Sequence, residues 1–172
     1  MTCTVLSIGS NLGDRLTHLQ SVLDALGATV TAVSPVYETA AWGGVEQGPF
    51  LNAVVLAEDP TRDAHGWLRR AHQIEDAAQR VRTQHWGPRT LDVDLVQVRA
   101  NGTEVIVDDD VLTVPHPYAH QRAFVLVPWL TVEPGAVLTR AGCQVGVAAL
   151  LNDLDPAERD GVRETGLKLV TG

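Results

Sequence analysis

The order strand, helix, strand, strand, helix, strand, strand predicts an α+β sandwich of ferredoxin-like type: a mostly antiparallel sheet with helices packed on both faces. Two observations carry this expectation. Leu16, Leu19, Leu23 and Leu26 form one helical stripe, and Trp67, Leu68, Ala71, Ile74, Ala78 and Val81 form a second. The strand runs between and after them include a pair joined by Asn101-Gly102, a strong signal for an antiparallel hairpin.

Taken in order, residues 4–8 read as a first strand, followed by a turn-rich loop from Gly9 to Arg15. The first helix stops at Gly27. A strand near Val30–Tyr37 tolerates Pro35 only at an edge or bend. Residues 39–49 read as a mobile loop, and Phe50–Ala57 as a strand. Asp59-Pro60-Thr61 opens a helix running to about Arg80, and a loop over 82–88 leads into a strand carrying Asp92 and Asp94. The hairpin returns through Glu104–Val107, and Asp108-Asp109-Asp110 is a solvated turn. Leu112–His116 is extended, Tyr118–Leu130 contains a helical piece, and Val145–Leu154 is a short helix. A last strand is placed near Leu167–Val170. No internal repeat, low-complexity tract or linker divides the chain, so one domain over residues 1–172 is expected.

The chain carries 13 Lys+Arg against 21 Asp+Glu, a formal net charge of -8, which argues against broad contact with a phosphate backbone and so against nucleic acid as a partner. A small anionic ligand held by a local basic cluster stays open. Cys3 and Cys143 form no C-x-x-C pair and suit a cytoplasmic protein with two incidental thiols. The N-terminus has neither the basic region nor the apolar run of a signal peptide, and no segment has the length of a membrane span.

The chemistry concentrates in His85-Trp86-Gly87-Pro88-Arg89-Thr90-Leu91-Asp92-Val93-Asp94. Side chains alternate along a strand, so Asp92 and Asp94 share one face while Leu91, Val93 and Leu95 share the other. Two like charges so close call for a positive partner: a divalent cation, an arginine, or both. Arg80, Arg82, His85 and Arg89 crowd into ten residues beside them, and arginine forks match phosphate oxygens. Carboxylates for a metal next to arginines for phosphates describe a nucleotide-metal site; neutralisation of the carboxylates by one or two arginines is the simpler alternative. Phe50 and Asn52 also share a strand face, which suits a flat hydrogen-bonding heterocycle or, more plainly, a core position with a satisfied amide. His116 stands between Pro115 and Pro117 with a fixed backbone. On the long helix, His72 and Glu75 are three apart and fit a solvated face better than a metal. The Gly9–Asp14 loop lacks the lysine and spacing of a P-loop, and neither G-x-G-x-x-G nor G-x-S-x-G occurs there.

Together these segments resemble the 6-hydroxymethyl-7,8-dihydropterin pyrophosphokinase family. The resemblance rests on Ile8-Gly9-Ser10-Asn11-Leu12-Gly13-Asp14-Arg15, Tyr37-Glu38-Thr39, Phe50-Leu51-Asn52-Ala53, Ile74-Glu75 and Arg80-Val81-Arg82. It continues through Gly87-Pro88-Arg89-Thr90-Leu91-Asp92-Val93-Asp94, Leu112-Thr113-Val114-Pro115-His116-Pro117 and Arg122-Ala123-Phe124-Val125-Leu126. It implies transfer of pyrophosphate from ATP to the pterin hydroxymethyl group with release of AMP, by a monomer using two Mg²⁺ ions. Asp92 and Asp94 would hold both metals, and Arg80 and Arg89 would contact the transferring phosphates. Phe50 and Phe124 would sandwich the pterin, with Asn52 and the backbone near Thr39, Ala40 and Trp42 reading its edge. Glu75, Arg82, Thr113, His116 and Arg122 would line the ATP site together with His72 and His85, and Trp86 would close over both substrates. The chain departs from the family's commoner residues at His72, His85, Val111 and the Ala40-Ala41-Trp42 stretch.

Overall fold

The computed structural model describes residues 1–40, 48–78 and 90–172. Strand β1 (Thr2–Ser10) leads into helix α1 (Arg15–Leu26), then β2 (Val30–Val33), β3 (Tyr37–Thr39) and β4 (Phe50–Asp59). Helix α2 (Ala64–Ala77) precedes β5 (Asp92–Ala100), β6 (Thr103–Glu104), β7 (Val107–Asp108) and β8 (Thr113–Val114). The remainder comprises α3 (Ala123–Val132), β9 (Val137–Arg140), β10 (Cys143–Gly146), α4 (Val147–Asn152), α5 (Pro156–Asp160) and β11 (Arg163–Glu164).

Among the described residues, the main sheet runs β11-β3-β4-β1-β5-β6, every pair antiparallel, with β2 paired to β4 above β3. This is the expected mixed α+β architecture. Helices lie on both faces because the central strands are apolar on both. Leu6, Ile8, Leu51, Ala53, Val55, Val93 and Leu95 join Leu19, Val22 and Leu23 of α1 and Trp67, Ala71 and Ile74 of α2 in one core. Val5, Val54 and Val96 join Val125, Leu126 and Trp129 of α3 and Val147 and Leu150 of α4 in the other.

Several boundaries differ from expectation for identifiable reasons. The strand expected over 30–37 is two strands, since Pro35 cannot donate to the ladder. Ser34 bridges the break: its hydroxyl accepts from the Val54 N–H at 2.9 Å, and its own N–H donates to the Val54 carbonyl at 2.9 Å. Helix α2 starts four residues after Pro60, capped by Asp63, whose carboxylate accepts from Gly66 N at 2.7 Å. Asp59 instead closes a local turn, accepting from the Thr61 backbone at 2.8 Å and pairing with Arg62 at 2.9 Å. The expected short helix over Val145–Leu154 is in part strand: a β9–β10 hairpin occupies residues up to Gly146 and only Val147–Asn152 is helical. The expected last strand at Leu167–Val170 is not one. The pairing falls earlier, where Arg163 and Glu164 of β11 meet Glu38 and Tyr37 of β3. Leu169 is then buried in the core beside α1, while the Gln20 side chain holds both the N–H and the carbonyl of Val170.

The detail that shapes the site is a bulge in β5. The register against β1 shifts between Leu6↔Leu95 and Val5↔Gln97, leaving Val96 as the extra residue. Its carbonyl accepts from the His116 N–H at 2.9 Å, which brings the segment after β8 alongside the edge of β5.

Candidate active site

The face of the sheet beneath the start of α3 gathers most of the described candidate residues. Asp92 pairs with Gly9 and Asp94 with Ser7 across the β1–β5 ladder. On the other side of β1, Gly9 pairs with Asn52 and Ser7 with Val54. Paired residues share a face, so Phe50, Asn52, Gly9, Asp92 and Asp94 all point toward the α3 side. Leu91, Val93 and Leu95 point into the opposite core, as the alternation predicts.

The pterin-edge candidates are closely tied. Asn52 Nδ2 donates to Thr39 Oγ1 at 2.7 Å, and both side chains are buried. Thr39 therefore closes β3 rather than opening a loop, while Ala40 beyond it is exposed. Phe50 and Phe124 are each half-buried, with Phe124 packed on the second core.

Arg122 and His116 stand on the same side. Arg122 precedes α3, is 7% exposed, and places Nη1 3.8 Å from Asp94 Oδ2. Its guanidinium carbon lies 5.6 Å from the Phe124 ring centre and 5.7 Å from that of Tyr118. The Tyr118 N–H donates to His116 Nδ1 at 3.1 Å, so the neutral ring carries its proton on Nε2. Burial pushes the His116 imidazole down to about 4, the Arg122 charge adds to that shift, and Asp92 opposes it.

Glu75 and His72 part company. The solvated face expected for the pair holds for His72, which is exposed, and fails for Glu75, which α2 buries at 4% exposure. Glu75 Oε2 accepts the Val93 N–H at 2.9 Å, satisfying a strand donor. Thr113 is exposed on β8 and donates to Asp108 at 3.3 Å. Trp42, Arg80, Arg82, His85, Trp86 and Arg89 lie outside the described residues, as does most of the loop expected over 39–49 and all of that over 82–88. Among the described residues, no third His, Cys, Asp or Glu joins Asp92 and Asp94 as a metal ligand. Two partly exposed carboxylates on one strand face suit Mg²⁺, which takes one or two carboxylates and fills its shell with water and phosphate oxygens.

The sequence suggests a loop from Gly9 onward, whereas Gly9 is a strand residue set between Asn52 and Asp92. A glycine closing an otherwise β-branched and apolar run was the available signal.

This arrangement puts an aromatic and amide pair on one side of β1 and a carboxylate pair on the other. The model of the 7,8-dihydro-6-hydroxymethylpterin-pyrophosphokinase (HPPK) family matches residues 5–134. The chain belongs to this family. A 2-amino-4-hydroxy-6-hydroxymethyldihydropteridine pyrophosphokinase of Mycobacterium tuberculosis is 57% identical over 168 residues, covering 95% of this chain and 89% of that one. The enzyme of the same name from Mycobacterium leprae is 56% identical over 175 residues, covering 98% and 92%. The one from Aquifex aeolicus is 31% identical over 139 residues, covering 80% and 84%. Among solved structures, Plasmodium falciparum HPPK-DHPS with pterin and p-hydroxybenzoate superposes with a TM-score of 0.63 at 13% identity, covering 88% of this chain and 42% of that one. The chain thus spans about two fifths of that protein, and the likeness establishes a shared HPPK fold. The HPPK family match ends at residue 134, so β9, β10, α4, α5 and β11 lie beyond it.

Proposed function

We infer that the chain transfers the pyrophosphate of ATP to the hydroxymethyl group of 6-hydroxymethyl-7,8-dihydropterin, a step of folate biosynthesis. The observation that carries this reading is the register Asn52–Gly9–Asp92 across three strands, which sets a heterocycle-reading amide two strands from a carboxylate pair.

In the reaction, the hydroxymethyl oxygen bonds to the β-phosphorus of ATP, and the bond from that phosphorus to the oxygen bridging it to AMP breaks. The β- and γ-phosphates move together, AMP leaves, and the hydroxyl proton passes to solvent. Such a transfer needs positioning and charge neutralisation more than covalent help from the protein. Phe50 and Phe124 stack on the pterin faces, a geometry that aromatic rings favour. Asn52, oriented by Thr39, reads the ring edge with the backbone near Ala40 and Trp42. Asp92 and Asp94 would hold the two Mg²⁺ ions, which when bound would neutralise charge at the phosphates and lower the pKa of the hydroxyl. Arg80 and Arg89 contact the transferring phosphates, and Arg122 holds Asp94 in place from the α3 side. His72, Glu75, Arg82, His85, Thr113 and His116 line or support the nucleotide site, and Trp86 covers it. The enzyme acts as a cytoplasmic monomer, with one domain running from residue 1 to 172.

The test is product analysis with ATP, Mg²⁺ and the pterin. AMP and the pterin diphosphate form together only when all three are present. Release of ADP or phosphate without pterin overturns the reading in favour of a hydrolase. Chelation of the metal abolishes AMP release and Mg²⁺ restores it.

A further inference from the structure

Strand β3 is three residues long, yet it carries Thr39, whose hydroxyl orients Asn52. On its inner side it pairs with β4, setting Tyr37 against Asn52, Glu38 against Leu51 and Thr39 against Phe50. So short a strand is weakly held by one neighbour and needs a second. The second comes from beyond residue 134, where the HPPK family match ends. Arg163 and Glu164 of β11 pair with Glu38 and Tyr37. The Val36 carbonyl accepts the Thr165 N–H at 3.1 Å and the Thr165 hydroxyl at 2.8 Å, and the Val36 N–H donates to the Leu167 carbonyl at 3.3 Å. The Glu38 carboxylate stands between Arg163 at 3.5 Å and Arg15 at 3.2 Å. The same Arg15 nitrogen, Nη1, donates to the carbonyl of Pro49, next to Phe50, at 3.1 Å.

The far end of this segment is anchored away from β3. Leu169 is buried in the core beside α1, and the Gln20 amide of α1 donates to the Val170 carbonyl at 2.8 Å and accepts its N–H at 2.9 Å. Residues 163–170 therefore form a strap that is fastened to α1 and laid along β3. An anchor that does not depend on β3 can fix where β3 lies. We propose that this strap is a positioning element for the pterin: by pairing with the outer edge of β3 it keeps Thr39 against Asn52, and so keeps the amide turned to the ring. The carboxylates assigned to the metals stand on β5, beyond β4 and β1 in the sheet, out of the strap's reach. The proposal rests on the pyrophosphokinase reading above and adds a support to its pterin side.

Arg163→Glu combined with Thr165→Pro loosens the strap while leaving Leu169 and Gln20 in place. The first change sets like charges opposite each other, and the second removes both donors to the Val36 carbonyl. The expected result is a rise of about tenfold in the pterin KM and in the pterin Kd measured by fluorescence. The kcat at saturating pterin and the Kd for a non-hydrolysable ATP analogue each stay within about twofold of the parent. Arg163→Lys with Thr165→Ser keeps the charge and both donors and restores the parent's values. Parent pterin constants in the loosened variant overturn the proposal. So does an equal loss of pterin and nucleotide binding, which marks the strap as a support of the whole fold. The parent protein supplies a second measurement that needs no variant. Coupling is reciprocal, so a strap that favours pterin binding about tenfold must itself be tightened about tenfold by bound pterin. Hydrogen exchange at the Val36 and Thr165 N–H groups should slow by about that factor with saturating pterin, and stay unchanged with the ATP analogue alone. Exchange rates that pterin leaves untouched overturn the proposal, whether or not the variant folds. Failure of the parent to make AMP from ATP and pterin is a separate outcome: it removes the functional reading, whereas the exchange result bears on the strap.

Discussion

Asn52 and Thr39 are joined by a 2.7 Å hydrogen bond between buried side chains, with the threonine hydroxyl accepting from the asparagine amide. That bond decides which way the carboxamide faces. With Nδ2 committed to Thr39, Oδ1 lies over Gly9, within 2.9 Å of where a Cβ would stand.

Thr39→Val removes the acceptor while nearly conserving shape. The buried amide N–H then loses a partner, a cost of about 1–3 kcal/mol. Pterin affinity should fall by roughly tenfold while affinity for an ATP analogue holds, because the amide no longer has a fixed orientation. Parallel titrations of the two ligands check this; an equal fall in both would assign Thr39 to overall stability.

Asp92→Asn and Asp94→Asn should each lower the rate of AMP formation by about 100-fold or more, the usual effect of losing one charge-stabilising contact in a transition state. Asp94 is 3.8 Å from Arg122, which is 7% exposed, so Asp94→Asn also takes a countercharge from a buried guanidinium. Metal-free urea unfolding should show Asp94→Asn to be less stable than the parent.

Glu75→Ala should destabilise the enzyme by about 2–3 kcal/mol, since it leaves the buried Val93 N–H without its 2.9 Å acceptor. That corresponds to a fall in melting temperature of roughly 4–12 °C. Glu75→Gln keeps an acceptor oxygen and should recover most of the loss. Calorimetry of both variants checks the ordering.

His116 gives a pH signature. Its imidazole is pushed from 6.5 down to about 4 by burial first and by Arg122 second. Between those values the unfolded chain binds a proton that the folded one does not, so stability rises with pH across the window. The contribution is fully present above pH 6.5, is lost as pH falls from 6.5 toward about 4, and changes no further below that. The total is at most about 3 kcal/mol. Urea unfolding of metal-free protein from about pH 4 to 7 should show this slope, and His116→Gln should flatten it.

Much of this was legible in the chain itself. The leucine stripe of α1 and the Trp67-centred stripe of α2 are amphipathic enough to be read locally, and both helices sit on the core that they predict. The Asp92/Asp94 alternation follows from strand geometry alone, and Leu91, Val93 and Leu95 are buried opposite as it requires. The tail was not legible. Arg163 and Glu164 carry no strand pattern, and they pair only because β3 presents an open edge to them. Glu75 was misread for a similar reason: its spacing from His72 suggests solvent, but the Val93 N–H lies within reach only after α2 packs on β5.

The sequence by itself determined the residue kinds and their local periods: two amphipathic helices, the strands, a pair of carboxylates on one face, and an aromatic and an amide on another. Periodicity is a short-range property, so it survives in one dimension. Only the tertiary structure decided that these faces are the same face. The antiparallel ladders of β4, β1 and β5 set Asn52, Gly9 and Asp92 in one row, though they are far apart in the chain. That register is fixed by pairing between distant strands and by the bulge at Val96, neither of which leaves a local signature.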